Sequence, residues 1–300
     1  MTDRVSIGVG VAGGELACYR LGAPASDAPL VLAIHGITSS SRNWVPAARE
    51  LGDRAALIAV DLRGRAASSG LPAPYGVDAD VADMIAVLDH FGLQRAVIAG
   101  HSLGAYIAAR LAALHPERVR SLVLVDGGLT IPGSENADPA AFMDAFLAPT
   151  LARLSMTFAD ASAYRDWWAR HPALADAVRS GEIAHADLEE YAANDLVGAP
   201  PQLRSSVNPE AIRADGTDLF HIPDARRIAC PAVLLCAPRG LSDEPSPMQP
   251  LALAQSWADA DPGRRRAIQV PDVNHYTIAL GATGARAVAA AIAQAVTAEG

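Results

Sequence analysis

Apolar residues in this chain occur in short continuous runs that alternate with segments of helical spacing. The runs Leu30–Ile34, Ala55–Val60 and Ser121–Val125 are almost wholly apolar, which is typical of strands buried on both faces of a parallel sheet. The segment from Asp78 to Phe91 instead has the 3.6-residue period of an amphipathic helix. This alternation of strand and helix predicts an α/β fold with a doubly wound sheet. The predicted helix has Val81, Ile85, Leu88 and Phe91 on one face and Asp80, Asp83 and Asp89 on the opposite face.

The alternation stops after Gly128 and resumes with the apolar run Pro231–Cys236. Most of the intervening chain has helical spacing, up to the stretch Gly198–Phe220, whose prolines predict loops. We therefore predict one α/β core that is interrupted by a helical insertion. The predicted core comprises residues 1–128 and 227–300, and the predicted insertion comprises residues 129–226.

One motif in the predicted core indicates chemistry. The apolar run that begins at Ala96 leads into Gly100-His101-Ser102-Leu103-Gly104, and a helix-forming run follows at once. A strand, Gly-x-Ser-x-Gly and a helix in this order predict a nucleophile elbow, in which a sharp turn presents the serine hydroxyl at the edge of the sheet. The alternative is a glycine-rich turn in which Ser102 only caps the helix.

A serine hydroxyl is a weak nucleophile until a base accepts its proton. His275 follows the predicted strand Ala267–Val270 near the C-terminus, where the order Ser…Asp…His places the base. His101 lies inside the elbow and is expected to point away from the serine as a structural residue. The backbone amides of Ile37 and Leu103 are the candidate donors of an oxyanion hole.

These motifs resemble those of the α/β-hydrolase fold superfamily, and the resemblance covers nearly the whole chain. It implies a mostly parallel eight-stranded sheet, with residues 129–226 as a helical cap. The chain departs from the superfamily at Arg65 and Ala66, where members commonly have His-Gly, and we expect this to alter a turn rather than the chemistry. The matching motifs are His35-Gly36, the segment from Asp61 to Ser68, Gly100-His101-Ser102-Leu103-Gly104 and Asn274-His275-Tyr276.

The carboxylate that completes the triad has two possible origins. Most relatives place it just beyond the strand after the cap, where this chain has Asp243 and Glu244 within reach. A minority take it from the end of the strand before the cap, where Asp126 stands. A carboxylate at that end of a parallel strand faces the catalytic crevice, so Asp126 is our first candidate and Asp243 and Glu244 are its rivals.

Composition narrows the classes of function. The net charge is −9 and the isoelectric point is about 5.3. The chain therefore does not have the excess of basic residues that is typical of a nucleic-acid-binding protein. No apolar stretch of signal-peptide length follows Met1, and no segment approaches about 20 uninterrupted apolar residues, so we expect neither a signal peptide nor a membrane span. The three cysteines fit no zinc-binding pattern, so we expect buried reduced thiols in a cytoplasmic protein.

The leading hypothesis is a serine hydrolase without cofactor or metal that cleaves a carboxylic ester, lactone or thioester. Acyl transfer to another nucleophile, as in perhydrolase (haloperoxidase-like) or macrolactone-forming thioesterase chemistry, is an alternative, and so is a non-catalytic protein that binds a small ligand. The expected partner is a small, apolar acyl substrate, and the expected state is a monomer or homodimer. The candidate substrate-binding residues are Tyr106, Trp167, Trp168 and Tyr276.

Overall fold

A computed structural model describes residues 6–22, 28–134, 138–219 and 224–298. The other residues of the two predicted domains lie outside this description. Most of the predicted strands are present, with ends that differ by a few residues from those expected. The strands are β1 (Ile7–Val11), β2 (Gly14–Gly22), β3 (Leu30–Ile34), β4 (Ala56–Val60), β5 (Ala96–His101), β6 (Val119–Val125), β7 (Leu196–Val197), β8 (Arg204–Ser205), β9 (Ala232–Cys236) and β10 (Arg265–Gln269).

Within the described chain, eight strands form one sheet in the order β1-β2-β4-β3-β5-β6-β9-β10. Neighbours from β4 to β10 in this order are parallel, whereas β2 is antiparallel to both β1 and β4. All residues of β4, β5 and β9 are buried, because helices cover both faces of a parallel sheet. The prediction of a mostly parallel eight-stranded sheet is therefore confirmed.

The helices of the described chain lie on the two sides of this sheet or in the insertion. They are α1 (Val45–Leu51), α2 (Val77–His90), α3 (Leu103–Leu114), α4 (Pro139–Leu154), α5 (Ala161–Ala169), α6 (Ala175–Ser180), α7 (His185–Asn194), α8 (Pro209–Asp218), α9 (Leu251–Asp259), α10 (Thr277–Leu280) and α11 (Ala282–Thr297). On one face α2, α3 and α9 bury Met84, Ile107 and Trp257. On the other face α1 and α11 bury Val45 and Ile292. This two-sided packing gives the doubly wound arrangement that the alternating pattern predicts.

The helices α4 to α8 and the short pair β7–β8 lie between β6 and β9 in the chain. The prediction of loops over Gly198–Phe220 was wrong for part of this insertion, because its described residues include α8. Pro209 occupies the first turn of α8, where a helix needs no N–H from that residue. Asn208 caps the helix, its side-chain oxygen accepting the N–H of Glu210 at 2.9 Å.

Two carboxylates of α2 lie in a different environment from the one predicted. Asp80 and Asp83 are buried rather than on a solvated face. Asp83 pairs with the guanidinium of Arg63 at 2.7 Å. Burial raises the pKa of Asp80, and the neighbouring carboxylate of Asp215 on α8 raises it further. Periodicity alone could not show this, because the groups that cover these aspartates come from distant parts of the chain.

The cysteines are buried and form no disulfide, as predicted. Burial raises the pKa of the Cys230 thiol to about 11 and that of the Cys236 thiol to about 12. Among the described residues, no helix combines the length and the apolar composition that a membrane crossing requires.

Candidate active site

The turn between β5 and α3 holds Ser102 in a strained backbone conformation. Its φ of 53° and ψ of −120° lie in a region that residues with a side chain rarely adopt. The flanking glycines permit this turn, because a Cβ on Gly100 would overlap the carbonyl oxygen of Gly104, and one on Gly104 would overlap that of Ile34. The Ser102 side chain makes no hydrogen bond that caps α3, so the alternative of a simple helix cap is not observed.

The hydroxyl of Ser102 lies at one end of a chain of two hydrogen bonds. It donates to His275 Nε2 at 3.0 Å, and His275 Nδ1 donates to Asp126 Oδ2 at 2.7 Å. The other oxygen of Asp126 accepts the N–H of Ala237 at 3.0 Å. Asp126 follows β6 directly and is fully buried, while His275 is 3% exposed. The structure therefore brings the predicted serine, histidine and first candidate carboxylate together.

The two rival carboxylates lie elsewhere in the loop after β9. Asp243 accepts a hydrogen bond from Asn274 Nδ2 at 2.8 Å and pairs with Arg239 at 2.7 Å. Glu244 accepts the backbone N–H groups of Leu241 and Ser242, at 3.0 and 2.6 Å. Asp243 thus contacts the residue before His275, and Glu244 orders its own loop.

The loop of residues 36–39, which follows β3 and which we call the 36–39 loop, packs against the serine. A Cβ on Gly36 would lie 3.1 Å from the Cβ of Ser102, so only glycine allows this approach without displacement. Ile37 lines the same cavity as Ser102. Leu103 is the first residue of α3, so its N–H has no acceptor within the helix.

His101 is more closely involved in the site than expected from the sequence. Its Nε2 donates to the backbone carbonyl of His275 at 2.9 Å, and its Nδ1 accepts from Asn43 Nδ2 at 3.3 Å. The ring also lines the cavity at Ser102. His101 therefore supports the loop that carries His275, a role that only the folded arrangement reveals.

His35 anchors the 36–39 loop in a similar way. Its Nδ1 donates to the carbonyl of Gly36 at 2.7 Å, and its Nε2 accepts the N–H of Leu62 at 2.9 Å. Burial lowers the pKa of both His35 and His101 to about 3. Both rings are consequently neutral near pH 7, as their hydrogen bonds require.

These depressed pKa values predict a loss of stability in acid. Between pH ~6.5, where an unfolded histidine titrates, and pH ~3, the unfolded chain binds protons that folded His101 does not. As the pH falls through this window, we expect the free energy of unfolding of the wild type to decrease by about 1.4 kcal/mol per pH unit more than that of His101→Gln. Urea denaturation of both proteins across the window measures this difference. Parallel stability curves would show that His101 titrates normally in the folded protein.

The cavity at Ser102 is small, with a volume of about 50 Å³. The 36–39 loop, Ser102 and His275 form one side of it. Phe146 and Leu147 of α4 and Tyr191 of α7 bring the inserted helices to the other side. The site therefore lies where the insertion meets the carboxyl ends of the parallel strands, as in other open α/β sheets.

Only one of the four predicted substrate-binding residues, Tyr276, lines this cavity. Tyr106 is buried in the core, where its hydroxyl donates to the carbonyl of Leu129 at 2.6 Å. Trp167 and Trp168 pack among the inserted helices with Tyr164. Size and position in the sequence predict a substrate contact for these three residues, but neither property indicates which way a side chain faces.

Comparisons with known proteins support the fold. The sequence model of the alpha/beta hydrolase fold matches residues 29–197. Lipase LipV of Mycobacterium tuberculosis is 38% identical over 118 residues, which cover 39% of this chain and 43% of that protein. The 2-(acetamidomethylene)succinate hydrolase of Mesorhizobium japonicum is 38% identical over 98 residues, which cover 33% of this chain and 35% of that protein. The similarity thus spans less than half the length of these curated relatives.

A solved structure extends the similarity in fold to almost the whole chain. The crystal structure of E-2-(acetamidomethylene)succinate hydrolase superposes with a TM-score of 0.75 at 23% sequence identity, covering 98% of this chain and 100% of that one. At this sequence identity the superposition shows a similar fold and nothing more. The sequence model of the alpha/beta hydrolase fold matches more than half of the residues of this chain. The chain therefore belongs to the alpha/beta hydrolase fold family.

Proposed function

We propose that this protein is a serine hydrolase that needs no cofactor and cleaves a carboxylic ester, lactone or thioester. The observation that carries this proposal is the pair of hydrogen bonds from the Ser102 hydroxyl through His275 to Asp126. This order of groups is what nucleophilic catalysis by serine needs, namely a nucleophile, a base and a carboxylate that orients the base. The relatives include a lipase and a 2-(acetamidomethylene)succinate hydrolase, which supports hydrolysis without indicating one substrate.

In the proposed reaction, Ser102 Oγ attacks the carbonyl carbon of the substrate while His275 Nε2 accepts the hydroxyl proton. The Asp126 carboxylate holds the proton on His275 Nδ1 and stabilises the imidazolium that forms. His275 then gives its proton to the leaving alcohol or thiol, which leaves an acyl ester on Ser102. A water molecule then attacks the acyl carbon while His275 Nε2 accepts one of its protons, and His275 passes that proton to Ser102 Oγ as the acid leaves.

The negative charge that develops on the carbonyl oxygen needs donors that are in place beforehand. We assign this role to the N–H groups of Ile37 and Leu103. Two features support the assignment: the 36–39 loop packs against Ser102, and the Leu103 N–H lies at the start of α3. The dipole of α3 adds positive potential at the same point.

We propose that residues 129–226 act as a cap over a core of residues 1–128 and 227–300. Phe146, Leu147 and Tyr191 support this division, because they belong to the inserted helices and close the cavity over Ser102. The first two side chains are apolar, which suits an apolar acyl group. Since ligand pockets usually measure about 300–1,000 Å³, a cavity of about 50 Å³ favours a short acyl chain.

A series of p-nitrophenyl esters tests both the reaction and the size of the acyl group. We expect p-nitrophenyl acetate to be hydrolysed with a kcat/KM at least about tenfold above that of the octanoate, since a poorly fitting chain loses transition-state binding. In Phe146→Ala, we expect kcat/KM to rise for the octanoate and to change little for the acetate. Absence of turnover with every ester would contradict the proposed function, and equal rates along the series would contradict only the size argument.

A further inference from the structure

The peptide groups before and after the Cα of Ile37 are both fixed by hydrogen bonds from other residues. The carbonyl of Gly36 accepts from His35 Nδ1 at 2.7 Å and from the N–H of Ser39 at 3.1 Å. Because a peptide group is planar and trans, this fixes the direction in which the Ile37 N–H points. The next carbonyl, that of Ile37, accepts from Arg65 Nε at 3.0 Å. The amide assigned to the oxyanion hole thus depends on two side chains, of which Arg65 is absent from the family pattern that the sequence otherwise resembles.

Arg65 is completely buried. Besides the carbonyl of Ile37, it donates to the carbonyl of Arg63 at 2.7 Å and forms an ion pair with Asp215 of α8. A buried guanidinium is tolerated only where its charge is paired and its N–H groups are bonded. Since the guanidinium is planar, three acceptors around it permit one orientation. The position of Asp215 therefore helps to determine where Arg65 meets the 36–39 loop.

The helix that carries Asp215 is fastened to the segment that carries Arg65. The second carboxylate oxygen of Asp215 accepts the N–H of Gly76 at 2.9 Å. At the start of α8, the N–H of Asn208 donates to the carbonyl of Gly64 at 2.8 Å. These contacts join the inserted helix to the chain between β4 and α2, and Arg65 extends that connection to the 36–39 loop.

We propose that Arg65 is a positioning residue that couples the docking of α8 to the orientation of the Ile37 amide. The oxyanion hole is then fully formed only while α8 is seated on the core. This inference rests on the proposed function, because it assigns a purpose to the Ile37 amide. It differs from the expectation that the departure at Arg65 alters a turn rather than the chemistry, and the experiment below decides between the two.

Arg63 provides a matched control within the same segment. It is 1% exposed, pairs with Asp83 at 2.7 Å, and donates to the carbonyls of Pro72 and Ala12. None of these acceptors belongs to the 36–39 loop. Arg63→Lys therefore reports the general cost of losing a buried guanidinium, whereas Arg65→Lys adds the loss of the contact with Ile37.

The test compares Arg65→Lys with Arg63→Lys in p-nitrophenyl acetate hydrolysis, in thermal unfolding and in binding of a trifluoromethyl ketone that forms a tetrahedral adduct with serine. For Arg65→Lys we expect kcat to fall about 10- to 100-fold with KM within about twofold, since an interaction made in the transition state is weakened. The ketone should lose affinity by a similar factor. Arg63→Lys should lower Tm and leave kcat and ketone affinity near those of the wild type.

Equal losses of kcat in the two variants, or an unchanged kcat in Arg65→Lys, would overturn the role of Arg65. If Arg65→Lys does not fold, Asp215→Asn carries the test: a fall in kcat at constant KM supports the coupling, and an unchanged kcat overturns it. An inactive wild type would contradict the proposed function itself and this inference with it. Activity of the wild type therefore separates the two failures.

Discussion

Replacing Ser102 with alanine is expected to lower kcat for ester hydrolysis by about 10⁴- to 10⁶-fold, since no other group can form the acyl intermediate. The change removes one hydroxyl at a half-buried position, so the variant is expected to fold with a Tm close to that of the wild type. Steady-state rates with p-nitrophenyl acetate, together with thermal unfolding, measure both expectations.

Ser121→Ala is the matched control for this variant. Ser121 is a buried serine in β6, and it pairs in register with Val97 near the start of β5, whereas Ser102 follows the end of that strand. The control should retain the rate of the wild type, which separates loss of the nucleophile from any general effect of removing a serine from the sheet. Substantial hydrolysis by Ser102→Ala would contradict the mechanism, because the bond would then be broken by another group.

Replacing Asp126 with asparagine gives the second large effect, a fall in kcat of about 10⁴-fold. The amide keeps the shape of the side chain but removes the charge that stabilises the imidazolium. Its NH₂ group can also donate to His275 Nδ1. This favours the His275 tautomer that carries its proton on Nε2, and in that tautomer Nε2 cannot accept the proton of Ser102. The measurement is kcat for p-nitrophenyl acetate in a folded variant.

Asp243→Asn is the corresponding control. Asp243 contacts Asn274 and Arg239, so its replacement disturbs the loop beside His275 without removing a charge from the imidazole. We expect a loss of no more than about tenfold. A larger effect in Asp243→Asn than in Asp126→Asn would show that the carboxylate of the triad comes from the loop after β9.

The features that the sequence predicts well are encoded over short distances. The elbow needs an apolar strand, glycines at two fixed positions and a helix, all of which lie between Ala96 and Leu114. The buried strands are visible because both of their faces are apolar. His275 follows from chain order, since its place after the last strand is common to this arrangement.

The sequence ranks Asp126 before its rivals Asp243 and Glu244, but short-range patterns do not decide between them. Asp126 and Asp243 each follow a strand of the core, and a local pattern does not show which of them reaches the ring of His275. That choice depends on the contact at 2.7 Å between groups 149 residues apart. For the same reason the sequence did not reveal the burial of Asp80, whose surroundings include Asp215 of the inserted helix.

The lining of the cavity also depends on how the insertion sits over the core. Trp167 and Trp168 are large aromatic residues in a predicted cap, but they pack against Tyr164 and its neighbours rather than over Ser102. Phe146 and Tyr191 belong to the same predicted cap and do line the cavity. All four residues are large and aromatic, so composition does not show which of them face Ser102. That depends on how the inserted helices pack.

The proposed mechanism requires an acyl-enzyme on Ser102, and trapping this intermediate tests it. Wild-type protein is mixed with p-nitrophenyl acetate, quenched in acid within the first turnover, digested and analysed by mass spectrometry. We expect one acetyl group on the peptide that contains Ser102, and none on that peptide in Ser102→Ala. Hydrolysis of the ester without acetylation of Ser102, or with the acetyl group on another residue, would contradict the proposed mechanism.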